Sequence, residues 1–243
     1  MRIYRDLAQW YPLITDAGDY AEEAAHIWRL IEATSDDPAR TLLELGSGAG
    51  HMASHLKTRI QCTLTDISPE MIGLSRALNP ECEHLQGDMR TLDLKRIFDV
   101  VLTHDAIGYM TSEEDLRAAI KTASAHLRPG GIAIFLPDDV KDTFSATTEC
   151  GGHDAPGGRG LRYLEWSYDP DEADTLIVIE FALMIREPGQ PVRVEHDTHA
   201  AGLFDRATWR RLMETAGLET LDVDAQDPHA GEHEVFVARR RKQ

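Results

Sequence analysis

Leu42-Leu43-Glu44-Leu45-Gly46-Ser47-Gly48-Ala49-Gly50 is the stretch whose reading decides the fold. Thr41 to Leu45 is a short apolar run of the kind that makes a strand buried on both faces of a parallel sheet. The glycines at 46, 48 and 50 then let the main chain turn sharply and leave it bare enough for a ligand to approach. Helical sequence follows from His51 to Thr58, so the unit is strand, glycine turn, helix.

Working outward, the next acidic landmark is Asp66, 20 residues after Gly46 and just past the alternating run Ile60 to Thr65. A second parallel strand ending there delivers a carboxylate to ribose hydroxyls, which points to a nucleoside site. The dinucleotide fingerprint wants glycine three residues after its second glycine, and that position is His51.

The Gly-x-Gly-x-Gly form, with Glu44 two residues ahead, instead resembles the first motif of class I S-adenosylmethionine-dependent methyltransferases. The resemblance implies a Rossmann-like α/β fold: a seven-stranded sheet with helices on both faces, its seventh strand antiparallel. It also implies S-adenosylmethionine as cofactor, with S-adenosylhomocysteine as product.

The rest of the chain fits that frame. Tyr20, Ala24, Ile27, Trp28 and Ile31 recur at helical spacing from Asp19 to Ala33, with Asp19 and Glu22 as the expected capping pair. Ser68-Pro69-Glu70-Met71 starts a helix that Asn79-Pro80 ends, and a brief strand, Glu83 to Gln86, finishes in Gly87-Asp88-Met89. Ile97 to Thr103 is the fourth strand and opens onto His104-Asp105. Ser112 caps a helix with the stripe Leu116, Ile120, Ala123 and Leu127, and Arg128-Pro129-Gly130-Gly131 stops it before a fifth strand, Ile132 to Leu136. Leu-Arg-Pro-Gly-Gly before a β run is a further mark of these methyltransferases.

From Asp138 to Phe204 the alternation breaks. A glycine-rich loop spanning Gly151 to Gly160 leads into strands at Leu161 to Tyr168, Leu176 to Arg186 and Val192 to His199, separated by Asp-Pro-Asp and Pro-Gly turns. We expect an antiparallel insertion over the active site. A last helix, Arg206 to Ala216, and strands at Leu218 to Val223 and Glu234 to Ala238 complete a single domain. Its parts are a cap region at 1–40, a cofactor core at 41–137, the insertion at 138–204 and the closing helix and strand pair at 205–243.

Composition narrows the partners. The 243 residues carry 42 acidic and 25 basic side chains, a net charge of -17, which repels nucleic acid and anionic membrane surfaces. Cys62, Cys82 and Cys150 form neither a disulfide framework nor a zinc pattern. The first twenty residues lack the apolar run of a signal peptide or membrane span. A cytoplasmic protein with a small-molecule acceptor is expected, as monomer or homodimer.

For the site, backbone amides at Gly46 and Gly48 and the helix start near His51 are placed to hold a carboxylate. On the family pattern Glu44, Asp66 and Thr103 line the ribose and methionyl parts, Ile67 and Met89 sandwich adenine, Asp88 pairs with its amine, and Met71 lies close by. Tyr20, with Tyr4 and Tyr11, belongs to the cover. His104 and Asp105 at the mouth of the fourth strand are the candidates for contacting the acceptor and removing its proton. Alternation sets Val192, Val194, His196 and Thr198 on one strand face, so His196 is expected to line the acceptor pocket, or to be a hydrogen-bonded core histidine. Asp138 and Asp139 are adjacent and alternate in direction, so no metal site is expected.

The likeness sharpens toward the N-methyltransferases that dimethylate amino sugars in antibiotic biosynthesis. It is carried by Asp19-Tyr20-Ala21, Gly87-Asp88-Met89-Arg90, Gly108-Tyr109 and Gly202-Leu203-Phe204. His104-Asp105 departs from that branch, which has small hydroxyl residues there, so the acceptor stays open between amine and hydroxyl. Two rivals stand beside methyl transfer: a catalytically silent S-adenosylmethionine-binding module and a nicotinamide-dependent oxidoreductase.

Overall fold

The central strands Thr41–Leu45, Phe98–His104 and Leu127–Leu136 carry buried apolar residues on both faces because both faces are covered. Leu42, Leu64, Val100, Leu102, Ile132 and Ile134 bury to one side, against Ala24, Ile27, Ile31, Met52 and Leu56. Leu43, Leu45, Val101, Ala133 and Phe135 bury to the other, against Leu116, Ile120, Trp209, Leu212 and Met213. Each such aliphatic side chain contributes roughly 1.5–3 kcal/mol on burial. These two layers hold the sheet rigid beneath the site.

A computed structural model of the chain describes residues 1–222 and 234–242. The strands are β1 (Thr41–Leu45), β2 (Gln61–Asp66), β3 (Glu83–Gln86), β4 (Phe98–His104), β5 (Leu127–Leu136), β6 (Thr147–Gly151), β7 (Gly160–Tyr168), β8 (Leu176–Arg186), β9 (Arg193–Gly202), β10 (Leu218–Leu221) and β11 (Phe236–Arg240). The helices are α1 (Ala21–Thr34), α2 (His51–Leu56), α3 (Pro69–Leu78), α4 (Glu113–Ala125) and α5 (Arg206–Thr215). Short 3-10 turns at Ala8–Leu13, Ala17–Tyr20 and Ala106–Tyr109 complete the chain.

Seven strands form one sheet in the order β10-β11-β5-β4-β1-β2-β3. The five from β1 to β5 are parallel, and β11 runs antiparallel to β5. This is the Rossmann-like α/β sheet that the glycine motif implies. Chain order reverses between β1 and β4, and ligands of such sheets bind in the crevice beyond the carboxyl ends of the strands at that point. The glycine turn and His104 stand on its two sides.

The antiparallel insertion is a separate four-stranded sheet, β6-β7-β8-β9. Its inner face, Leu161, Phe181, Leu183 and Ile185, packs on Ile3, Leu7, Trp10 and Leu13. The N-terminal segment is therefore clamped between the insertion and the sheet's carboxyl edge.

Several local expectations are corrected. The capping box is Asp16 with Asp19, one turn ahead of the expected pair: Asp16 N donates to Asp19 Oδ2 at 2.9 Å and Gly18 N to Asp16 Oδ1 at 2.8 Å. Leu127 starts β5 and does not end the helical stripe, because Arg128 to Gly131 form a bulge inside the strand, which then re-registers on β4. Thr147–Gly151 is a further, unexpected strand that leads into the stretch read as loop. Val223, the expected end of the penultimate strand, lies outside the described residues.

Candidate active site

The glycine turn needs its glycines. Gly46 and Gly48 have φ of +74° and +54°. A Cβ on Gly46 would sit 2.4 Å from Ala106 Cβ and 2.8 Å from Met89 Cε, whereas one on Gly48 would meet only Met71 Cε, at 4.0 Å. Gly46 is closed in by protein and Gly48 faces open space. Asp66, at the tip of β2, ties the turn down: its Oδ2 accepts Gly48 N at 2.8 Å and its Oδ1 accepts Ser68 N at 2.8 Å. Burial raises the Asp66 pKa, and those amides oppose the rise.

Four buried polar atoms along this crevice have no hydrogen-bond partner among the described residues: Glu44 Oε2, Ser47 Oγ, His51 Nδ1 and Thr103 Oγ1. Each such group left unpaired costs about 1–3 kcal/mol. Three of the four, on Glu44, Ser47 and His51, belong to the strand end, turn and helix start of one segment, which fits a polar cofactor such as S-adenosylmethionine, whose amino, carboxylate and hydroxyl groups would pair with them. Burial, with Asp66 and Asp105 adding negative charge, pushes the Glu44 carboxyl up to about 8.

Among the other residues expected at the cofactor, Ile67 is 61% exposed, an uncommon position for isoleucine and one that leaves its side chain available to a flat ligand. Met89 leans over Gly46. Met71 is buried beneath the turn with Ala8 and Ala49. Asp88 reaches the tip of β3 with its carboxylate already engaged by Arg90, whose Nη2 donates at 2.6 Å and Nε at 3.0 Å, and Arg90 continues to Asp115 at 3.1 Å. Tyr20 stands edge-on to His104 with ring centroids 5.8 Å apart and tilted on His51 at 5.3 Å.

Across the crevice, His104 Nε2 contacts Glu23 Oε1 at 2.9 Å and Asp105 Oδ1 at 3.2 Å. Burial alone would lower the His104 pKa, but Asp105 and Glu23, with Asp138 beyond them, outweigh it and push it up to about 10. His104 is thus an imidazolium at neutral pH. Asp105 has φ of 33°, a strained conformation for a non-glycine residue, and such strain is found where function demands it. Asp138, two residues past the end of β5, is an exposed residue; the surrounding protein and the nearby Asp105 carboxylate raise its pKa well above the usual range.

His196 is not brought to this cleft. Its side chain is 66% exposed on the outer face of the insertion and bonds Glu180 at 2.8 Å. The inward histidine is His199, which is buried beside Asp197 and Tyr109. Alternation along β9 was right, but the face was reversed. The hairpin register could have shown it: β8 buries Ile177, Phe181, Leu183 and Ile185, and Ile177 pairs with Ala201, Ile179 with His199 and Phe181 with Asp197. Glu23 and Asp197 carried no motif of their own.

Among the described residues no cluster of three or more His, Cys, Asp or Glu side chains could hold a metal ion, and no helix is long and apolar enough to cross a membrane.

A family model described as a methyltransferase domain matches residues 19–223. A Streptomyces venezuelae dTDP-3-amino-3,4,6-trideoxy-alpha-D-glucopyranose N,N-dimethyltransferase is 29% identical over 202 residues, covering 82% of this chain and 84% of that protein. A Streptomyces fradiae dTDP-3-amino-3,6-dideoxy-alpha-D-glucopyranose N,N-dimethyltransferase is 27% identical, over 88% and 84%. Among solved structures, S. venezuelae DesVI superposes with a TM-score of 0.79 at 26% identity over 93% and 92% of the two chains. CalS10, a Micromonospora echinaspora amino pentose methyltransferase with S-adenosylmethionine bound, does so with a TM-score of 0.76 at 26% identity over 91% of each. With a glycine turn after β1 braced by Asp66 at the end of β2, the chain belongs to the methyltransferase domain family and uses S-adenosylmethionine to methylate a small molecule.

Proposed function

We propose that the acceptor is an amine, carried on a small sugar of the kind that the relatives' names describe, and that the reaction is N-methylation in the cytoplasm. The observation that carries this is the acidic wall facing the crevice: Asp138, hydrogen-bonded to Asp105, beside the imidazolium of His104. Two carboxyls this close share a proton. An arriving ammonium replaces that proton as counter-charge, donating N–H bonds to both carboxylates.

S-adenosylmethionine supplies an electrophilic methyl group. The chain's residues do the rest. Transfer of one ammonium proton onto the Asp105–Asp138 pair frees the nitrogen lone pair to form the new carbon–nitrogen bond. His104, already protonated, has no lone pair to take that proton; it balances the charge of the pair instead. The Gly46 and Gly48 amides, expected to hold a carboxylate, are not free to do so: they donate to Thr65 O and Asp66 Oδ2. The two glycines would leave room for the methyl donor, and Asp66 and Glu44 would hold it, with Thr103 beside it. Ile67, Met71, Asp88 and Met89 would lie toward its adenine end, while Tyr20 would cover the site and exclude water.

The test compares dTDP-3-amino-3,6-dideoxyglucose with its 3-hydroxy counterpart, using methyl-labelled cofactor. Label on the amino sugar alone is expected, with Asp138→Asn lowering kcat roughly 10²–10⁴-fold. Equal labelling of the hydroxyl sugar overturns the amine assignment, and no label in any acceptor favours a silent binding module.

A further inference from the structure

Behind the acidic wall runs a chain of hydrogen bonds, buried at Asp197 and His199 and half-buried at the two tyrosines. His199 Nε2 lies 3.0 Å from Asp197 Oδ2, Tyr109 OH lies 3.0 Å from His199 Nδ1, and Tyr4 OH lies 2.8 Å from Tyr109 OH. The chain joins three separate segments: β9, the turn after β4 and the N-terminal segment. Close approach makes it possible, since a Cβ on Gly202 would lie 2.2 Å from Met110 O. The segment that carries Tyr109 passes close to the wall: a Cβ on its neighbour Gly108 would sit 3.6 Å from Asp138 Oδ2.

We infer that Asp197 and His199 are positioning residues for the methyl acceptor, fixing the direction of the Tyr109 and Tyr4 hydroxyls so that the cleft meets an oxygen offering lone pairs. The inference rests on the amine reading above. The directions follow from donor chemistry. Asp197 is ionised: its Oδ2 also accepts Arg2 N at 2.6 Å and Ile3 N at 2.8 Å, and these bonds with His199 hold its pKa low against the cost of burial. A carboxylate only accepts, so His199 Nε2 carries the proton. Burial keeps His199 neutral despite Asp197, which leaves Nδ1 bare.

Tyr109 must therefore donate to Nδ1. Its oxygen then accepts from Tyr4, and burial keeps both phenols protonated. Both tyrosine protons point along the chain toward His199. Tyr4 oxygen is left with lone pairs alone, which suit an N–H donor and align it before the methyl group.

The test is a double-mutant cycle in the full chain with dTDP-3-amino-3,6-dideoxyglucose. His199→Phe and Tyr109→Phe should each raise acceptor KM about tenfold with S-adenosylhomocysteine affinity unchanged, and the double variant should raise it no further. Additive effects, or an unchanged KM in His199→Phe, overturn the inference. Nitrogen-15 spectra of His199 in the unaltered chain read the relay without turnover. The neutral form with bare Nδ1 is expected; a proton on Nδ1 overturns the relay. Methylation of a hydroxyl acceptor in place of the amine sinks the amine assignment separately, and the same cycle on that acceptor then judges Asp197 and His199.

Discussion

Asp66 Oδ2 accepts the amide of Gly48 at 2.8 Å, so the carboxylate expected at the ribose is also the brace of the glycine turn. One side chain thereby couples the ends of β1 and β2. Its other oxygen, on Ser68 N, fixes the start of α3. Ligand contact and backbone geometry are not separable at this position.

Removing the Asp66 carboxylate should therefore cost more than one ligand bond. Hydrogen bonds to a charged group are worth about 1.5–3 kcal/mol, so Asp66→Ala should weaken S-adenosylhomocysteine binding by roughly 10²-fold or more. His104→Ala, across the crevice, should bind it with nearly native affinity and slow methyl transfer. Calorimetric titration of both variants is the measurement; equal cofactor affinity in wild type and Asp66→Ala would remove the anchor of the site.

Glu44 sets stability against binding. Its folded pKa, about 8, is above the ordinary 4.5, so the folded state holds the proton more tightly than the unfolded state. Folding stability accordingly falls as pH rises from about 4.5 to about 8, then levels off. Glu44→Gln should stabilise the cofactor-free protein at pH 8 and above by on the order of 1–3 kcal/mol, read as a higher melting temperature. The same variant should gain less from added S-adenosylhomocysteine than wild type does. A lower cofactor-free melting temperature in Glu44→Gln would show that the carboxylate stabilises the fold.

How far the sequence discloses this site depends on where each residue's partners lie. Glu44 to Gly50 and Asp66 were legible because their chemistry is written in local spacing: an apolar run, a turn that needs glycine, a carboxylate at the next strand's tip. His199 was not, since its role depends on which face of β9 turns inward, and that is set by pairing with β8 and by Ile3 and Leu7 from the far end of the chain. Val194, 65% exposed, misled for the same reason: an apolar residue does not by itself mark the buried face. The ionisation of His104 was equally hidden, because Glu23 arrives from α1 and Asp138 from beyond β5.

That ionisation has a signature in pH. The folded pKa of His104, about 10, exceeds its ordinary 6.5, so its contribution is fully present below about 6.5 and is lost as pH rises toward 10. The size is on the order of a few kcal/mol. His104→Gln should thus flatten the alkaline arm of the stability profile between those values, measured by denaturant unfolding at a series of pH values. Parallel profiles for variant and wild type would mean that His104 is neutral in the folded protein.

Gly46 and Gly48 share a positive φ but differ in what surrounds them, and that difference predicts opposite failures. Gly46→Ala drives a methyl group into Ala106 and Met89, so it should lower stability by roughly 1–3 kcal/mol even without cofactor. Gly48→Ala meets no protein atom closer than 4.0 Å and bears mainly the backbone strain, about 1 kcal/mol. Its methyl group points into the crevice that the cofactor must enter. Gly48→Ala should therefore fold and melt close to wild type yet fail to gain stability on addition of S-adenosylhomocysteine, whereas Gly46→Ala should melt early in both conditions. Thermal melting of the two variants, with and without that ligand, separates the cases, and a normal ligand-induced shift in Gly48→Ala would place the cofactor elsewhere than against this turn.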